Sequence, residues 1–230
     1  TTPTAPLPSA DASRVLRTTA GDFPLDEYRL RLDGREWRVL HTGEVIAFWD
    51  EQRFLSEARE RIPYGVALWP AAIALAHDLA GRGAALRGRR VLEVGAGTGL
   101  PGIVAASYGA DVLQTDRQAL ALTVCRRNGA LNAEATATGA LAHRAADWTD
   151  WDVPGTFDWI LGADVLYSEP MQPHLRRVLE TALAPGGRVL LADPFRKPSL
   201  ALLEALESDG WTIALSKWTV GEAASPRAVG

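Results

Sequence analysis

The chain has 230 residues, 47% of them hydrophobic and 23% charged, with 24 Lys and Arg against 28 Asp and Glu for a formal net charge of −4. This length and apolar content suit one domain with a substantial core and exclude a disordered chain, while the weakly acidic balance supplies no global pull toward nucleic acid or an anionic membrane. A single cysteine excludes an intrachain disulfide and a thiolate zinc cluster.

In chain order, residues 1–20 are rich in Pro, Ala, Ser and Thr and read as a flexible tail. They lack the charged start and long apolar run of a signal peptide, and no window is apolar for long enough to span a bilayer. The expectation is a cytoplasmic protein with no membrane partner. Residues 28–41 (YRLRLDGREWRVLH) are two alternating segments about Asp33-Gly34, a hairpin signal with Leu30, Leu32, Trp37 and Val39 on its apolar face. Such a hairpin either caps the core or walls a substrate site. A short strand at 44–50 and a charged helix at 52–61, stopped by Pro63 and Gly65, complete an N-terminal extension over 21–62 that precedes a main domain at 63–230. The spacing of residues 66–80 (VALWPAAIALAHDLA) predicts a helix with Pro70 in its first turn, alanine-rich enough for close packing on a sheet. His77 on it reads as a helix residue rather than a general base.

Residues 89–102 (RRVLEVGAGTGLPG) carry the densest signal. Val91, Leu92 and Val94 predict a buried strand, glycines 95, 97 and 99 a tight turn, and residues 100–107 a helix whose free N–H groups point back at the turn. Gly97 to Gly102 also satisfies the G-x-G-x-x-G pattern of dinucleotide sites. Glu93 separates the two readings: a carboxylate two residues before the first glycine is a poor neighbour for a pyrophosphate and a good one for a sulfonium, which favours S-adenosylmethionine over NAD. The next strand, 111–116, ends in Asp116 about 20 residues beyond the turn, where ribose hydroxyls are held.

Downstream, residues 118–129 predict a helix ended by Asn128-Gly129 in a left-handed stop, with Cys125 a small buried helix residue rather than a nucleophile. A weak strand at 140–145 leads to Asp147 and Trp148, an acid and an aromatic suited to adenine's amino group and face; alternatively Trp148 and Trp151 cover the sheet edge. Strands at 156–163 and 188–193 enclose a helix at 171–184, and a helix at 199–209 and a strand at 211–220 follow. This alternation assigns the chain to the α/β class, a mostly parallel sheet with helices on both faces. Ligands of such sheets lie beyond the carboxyl ends of the strands, where Glu93, Asp116, Asp147 and Asp164 all fall. Asp164 and Tyr167, three residues apart, share one side if a helical turn begins there; the competing reading makes Asp164 a helix cap and Tyr167 a cover for the sheet.

The run Glu93-Val-Gly-Ala-Gly-Thr-Gly99, with Asp116, resembles the cofactor motifs of class I S-adenosylmethionine-dependent methyltransferases. Trp69-Pro-Ala-Ala, Leu92 to Ile103 and Gly162-Ala-Asp-Val-Leu-Tyr167 are similar to methyltransferase family 16, the seven-β-strand protein-lysine methyltransferases, and Leu191-Ala-Asp-Pro-Phe-Arg196 more weakly to its branch acting on the electron transfer flavoprotein β subunit. The resemblance covers residues 60–196 well. It implies a Rossmann-like, doubly wound, mostly parallel seven-stranded sheet closed by an antiparallel hairpin, of which only 211–220 is clear here. It implies that Glu93, Gly95, Gly97, Gly99 and Asp116 bind S-adenosylmethionine, that Trp69 and Ala163 line it, that Asp147 and Trp148 approach adenine, and that Asp164 and Tyr167 serve the acceptor amine. In-line attack on a sulfonium methyl needs alignment and a neutral nucleophile, with no metal.

The function expected is methyl transfer to a protein lysine by a monomer. The alternatives are a methyltransferase for a small metabolite, recognisable by an acceptor pocket lined by Trp37, Trp49 or Trp69, a nucleic-acid methyltransferase, a non-catalytic binding module and a dehydrogenase. The sequence has Asp164-Val-Leu-Tyr167 where enzymes methylating planar nitrogens of bases or glutamine carry an asparagine-proline-proline-aromatic tetrad. That disfavours a nucleic-acid partner.

Overall fold

Period-two alternation in residues 90–94 decides the two faces of the central sheet. Val91 joins one apolar cluster, Leu92 and Val94 the other, and Glu93 shares the Val91 side. The computed structural model describes residues 14–18, 21–43, 64–220 and 227–229. In order these hold strands β1 (Val15–Thr18), β2 (Gly21–Pro24), β3 (Asp26–Leu32) and β4 (Arg35–His41), helices α1 (Pro70–Gly81) and α2 (Gly83–Leu86), then β5 (Arg90–Val94), α3 (Leu100–Ser107) and β6 (Asp111–Asp116). There follow α4 (Ala119–Leu131), β7 (Ala140–Ala145), β8 (Phe157–Ala163), α5 (Gln172–Ala182), β9 (Leu183–Ala192), α6 (Lys197–Ser208), β10 (Trp218–Val220) and β11 (Arg227–Val229).

The sheet is parallel throughout, in the order β7-β6-β5-β8-β9. From β5 the chain winds outward through β6 to β7, then returns to lay β8 against the other side of β5. The crevice at this reversal is where the carboxyl ends of the strands leave room for a ligand. Helices α1 and α3 pack on the Val91 face and α5 and α6 on the Leu92 face, so the doubly wound α/β class holds. Among the described residues the sheet has five strands rather than the seven expected. β10 and β11 form a separate antiparallel pair. In the expected strand at 211–220, Trp211 and Ile213 do alternate toward the α5 and α6 cluster, but residues 211–217 form no ladder.

The hairpin is β3 and β4, joined by Asp33 and Gly34 at φ 49° and 77°, the left-handed pair that a two-residue turn requires. Trp37, wholly buried, donates from Nε1 to Ser107 Oγ at 3.1 Å, and Val39 packs in the same cluster. The hairpin therefore caps the core. It is seated on α4 and its C-terminal cap by two asparagines: Asn132, the cap, accepts from Arg38 N at Oδ1 (2.9 Å) and donates from Nδ2 to Arg38 O (2.7 Å), while Asn128 does the same with Leu40 (2.7 and 3.0 Å). Four residues of helix rise about 6 Å and two residues of strand about 6.8 Å. The pair thus stands in for a neighbouring strand.

This seating overturns the expected stop at Asn128-Gly129. Asn128 spends its amide on β4 and the Thr98 carbonyl, and Gly129 lets Leu141 approach closely, so α4 continues to Leu131. The expected tail boundary near residue 20 also fails. β1 pairs with β2, and Leu16 is buried with Leu25, Leu40, Val66, Ala121 and Val124, because a four-residue strand needs only one anchoring side chain that composition does not reveal. The carboxyl side of α5 is likewise shifted, since Pro185-Gly-Gly187 falls inside the irregular start of β9. The strand and helix expected at 44–50 and 52–61, with Trp49, lie outside the described residues. Among those described, no helix is long and apolar enough to cross a membrane.

Candidate active site

At the end of β5 the backbone enters the left-handed region at Gly95, Gly97 and Gly99, with φ of 61°, 54° and 80°. A Cβ on Gly99 would stand 2.5 Å from Cys125 Sγ and 2.7 Å from Gln114 Nε2, so the turn closes directly on the layer beneath it. A cavity of about 300 Å³ lies above the turn, within the size of small-ligand sites. It is lined by Trp69, Glu93, Gly95, Gly97, Asp116, Asp147, Trp148, Ala163, Asp164 and Tyr167. Gly99 is behind this lining and caps α3 from beneath. Trp69 alone of the three tryptophans considered for an enclosed acceptor pocket lines the cavity among the described residues, because Trp37 is buried under the hairpin.

Glu93 is held under the turn. Its Oε2 accepts from Gly102 N (3.2 Å) and Gln114 Nε2 (2.6 Å); Gln114 also donates to Gly99 O (2.8 Å) and accepts from Cys125 Sγ (3.2 Å). Burial, against these hydrogen bonds, pushes the Glu93 carboxyl up to about 8, so in the protein alone it is mainly neutral at pH 7. Glu93 therefore first fixes the turn and α3. Burial also raises the Cys125 thiol well above its ordinary range, which suits the small buried residue expected.

Asp116 ends β6 with each oxygen on a backbone donor, Oδ2 on Gly97 N (3.0 Å) and Oδ1 on Gln118 N (2.8 Å). Burial raises its pKa and those two bonds oppose the rise. Asp147 accepts from Thr149 N and Oγ1 at 2.9 and 2.8 Å, which lowers its pKa and caps the start of a turn (Trp148–Asp150) that presents Trp148 to the cavity. The carboxyl ends of β5, β6, β7 and β8 therefore converge on one space.

Asp164 departs from the helical turn expected. It sits at φ 57° with its N–H on Ala192 O (2.8 Å), and residues 165–168 have no regular structure, so it caps no helix and Tyr167 is placed by a loop. Its Oδ1 is ion-paired with Arg196 Nη1, which also lies 3.2 Å from Asp193 Oδ2. Tyr167 is about half exposed at the rim, and burial of its phenol raises its pKa, leaving it protonated near neutral pH. Sequence reasoning missed Tyr64, Arg117, Gln118 and Met171, which also line the cavity. Arg117 follows Asp116 directly and shares a hydrogen bond with Tyr64, a pairing across 53 residues with no local signal.

The donor set fits S-adenosylmethionine. Asp116 offers acceptor oxygens for ribose hydroxyls, Trp148 an aromatic face beside the acid Asp147, and the glycines a backbone that a ligand can approach closely. Comparison with known proteins agrees. Residues 50–201 match the family described as lysine methyltransferase. Protein N-lysine methyltransferase METTL21A of Danio rerio is 39% identical over 179 residues, covering 76% of this chain and 71% of that protein. EEF1A lysine methyltransferase 3 of Mus musculus is 36% identical over 138 residues, covering 59% of this chain, which spans 58% of its length. Magnesium protoporphyrin IX methyltransferase from Synechocystis, solved with bound S-adenosylmethionine, shares the fold at a TM-score of 0.55 and 16% identity, with 81% of this chain and 84% of that one covered. The matched stretch contains the glycine turn, Asp116 and the Asp164 to Tyr167 segment, and the chain belongs to the class I S-adenosylmethionine-dependent lysine methyltransferase family.

Proposed function

We propose that this chain methylates the side-chain amine of a lysine in a protein, using S-adenosylmethionine held over Gly95 and Gly97 with Asp116 on its ribose, and admitting the acceptor past Asp164 and Tyr167. The observation carrying this reading is that the acceptor-side pair and the cofactor-side residues line the same cavity, inside the stretch that matches the family. Bound S-adenosylmethionine supplies an electrophilic methyl, so the protein's task is alignment and exclusion of water. Asp164 sets negative charge at the entrance and orients an arriving ammonium. Tyr167 packs beside the alkyl stem and, with its raised pKa, is no base at neutral pH. A lysine amine of reference pKa about 10.4 must lose its proton to water before it aligns for attack, because the Asp164 carboxylate favours its charged form. A cytoplasmic setting belongs to the same reading.

Purified protein incubated with methyl-labelled S-adenosylmethionine and cell extract should place label on a protein lysine, mapped by mass spectrometry. Asp164→Ala should lose that label while still binding S-adenosylhomocysteine. Label on small molecules alone would replace this reading with metabolite methylation.

A further inference from the structure

Asp164, Asp193 and Arg196 form a charged cluster on the loops that follow β8 and β9. Their side chains are only 6%, 8% and 13% exposed. One guanidinium nitrogen, Arg196 Nη1, meets both carboxylates, and Asp193 Oδ1 accepts from Arg196 N at 3.0 Å, closing the loop on itself. Arg196 thus ties together two acids, of which Asp164 lines the cavity. The backbone is constrained at the same place. Among the described residues, positive φ outside glycine occurs at Asp33 of the hairpin turn and at Asp164 (57°) and Phe195 (61°), which flank this ion pair. Aspartate enters this region more readily than most residues, whereas phenylalanine holds it only where its surroundings impose it. Here the imposed contacts are the Asp164 N–H to Ala192 O bond, one step beyond the β8–β9 ladder, and the arginine bridge.

We infer that Arg196 is a positioning residue for the acceptor site: by bridging Asp164 and Asp193 it fixes the Asp164 carboxylate toward the cavity, where it meets the lysine ammonium. The inference rests on the lysine reading above. Arg196 is not among the cavity-lining residues, so its effect passes through Asp164. Without it, two nearly buried carboxylates face each other, and they separate or share a proton. Both carboxylate contacts use one nitrogen, so a lysine ammonium at this position keeps the positive charge that joins them.

The test measures two quantities on wild type, Arg196→Met, Arg196→Lys and Asp164→Asn: S-adenosylhomocysteine affinity by calorimetry, and initial rates of labelled methyl-lysine formation with dialysed cell extract as the acceptor probe. Arg196→Met should lower the rate roughly 10- to 100-fold with cofactor affinity within about twofold, and Arg196→Lys should recover most of the rate. In the Asp164→Asn background, adding Arg196→Met should cost nothing further. Full activity of Arg196→Met, or an equal loss with and without Asp164, overturns the inference while leaving lysine methylation intact. Absence of labelled methyl-lysine from the wild type overturns the lysine reading itself. If Arg196→Met does not fold, Asp193→Asn removes one arm of the bridge and must show the same split between rate and affinity.

Discussion

Glu93 shows how far a single position can be read from sequence. Its place at the end of the glycine strand was legible from the motif, but its burial and its two donors were not, since Gly102 and Gln114 reach it from 9 and 21 residues away. With a folded pKa near 8 against an ordinary value of 4.5, the folded chain keeps a proton that the unfolded chain gives up. The stability this supplies is complete below about pH 4.5 and is lost as pH rises through about 8. Scanning calorimetry from about pH 6 to 9 should therefore show the wild-type melting temperature falling more steeply than that of Glu93→Gln, which keeps an acceptor oxygen and has no proton to lose. Parallel curves would assign the slope to other groups. Asp116, Asp147 and Asp164 follow the same pattern: strand-end position was readable, while Asp164's arginine partner, 32 residues on, was not.

At the scale of elements, alternation and punctuation located the hairpin, the β5 turn and the strands at 140–145 and 157–163, because those signals are local. They failed where one dipeptide has two meanings. Asn-Gly ends many helices, yet here it lies inside α4 because its asparagine bonds β4 and its glycine admits Leu141. Replacing Asn128 by Ala strips partners from Leu40 N–H, Leu40 C=O and the Thr98 carbonyl, at roughly 1–3 kcal/mol for each buried group left unpaired. Urea unfolding should show a loss of at least about 2 kcal/mol. Because Thr98 lies in the glycine turn, S-adenosylhomocysteine affinity should fall with it; an unchanged midpoint would mean that water replaces the amide.

For the whole molecule, the reversal of winding between β5 and β8 places the ligand space; the alternation of strands and helices announced a parallel sheet covered on both faces, but not which strands flank the reversal. The strand count did not follow, since ladders between distant segments leave no local mark and residues 211–217 alternate without pairing. If the cavity is the cofactor site, S-adenosylhomocysteine at about 100 times its dissociation constant should add about 2.7 kcal/mol and raise the melting temperature by about 5–10 °C. Asp116→Ala should remove most of that rise, and NAD should give none; a rise with NAD instead would restore the dinucleotide reading. The asparagine seat has a further bearing on how this molecule can vary. Both amides grip main-chain groups of Arg38 and Leu40, which every residue type but proline provides in full. The outward side chains of the hairpin can therefore drift in sequence, or be exchanged wholesale for another hairpin, provided the socket on α4 and the buried plug at Trp37 are kept.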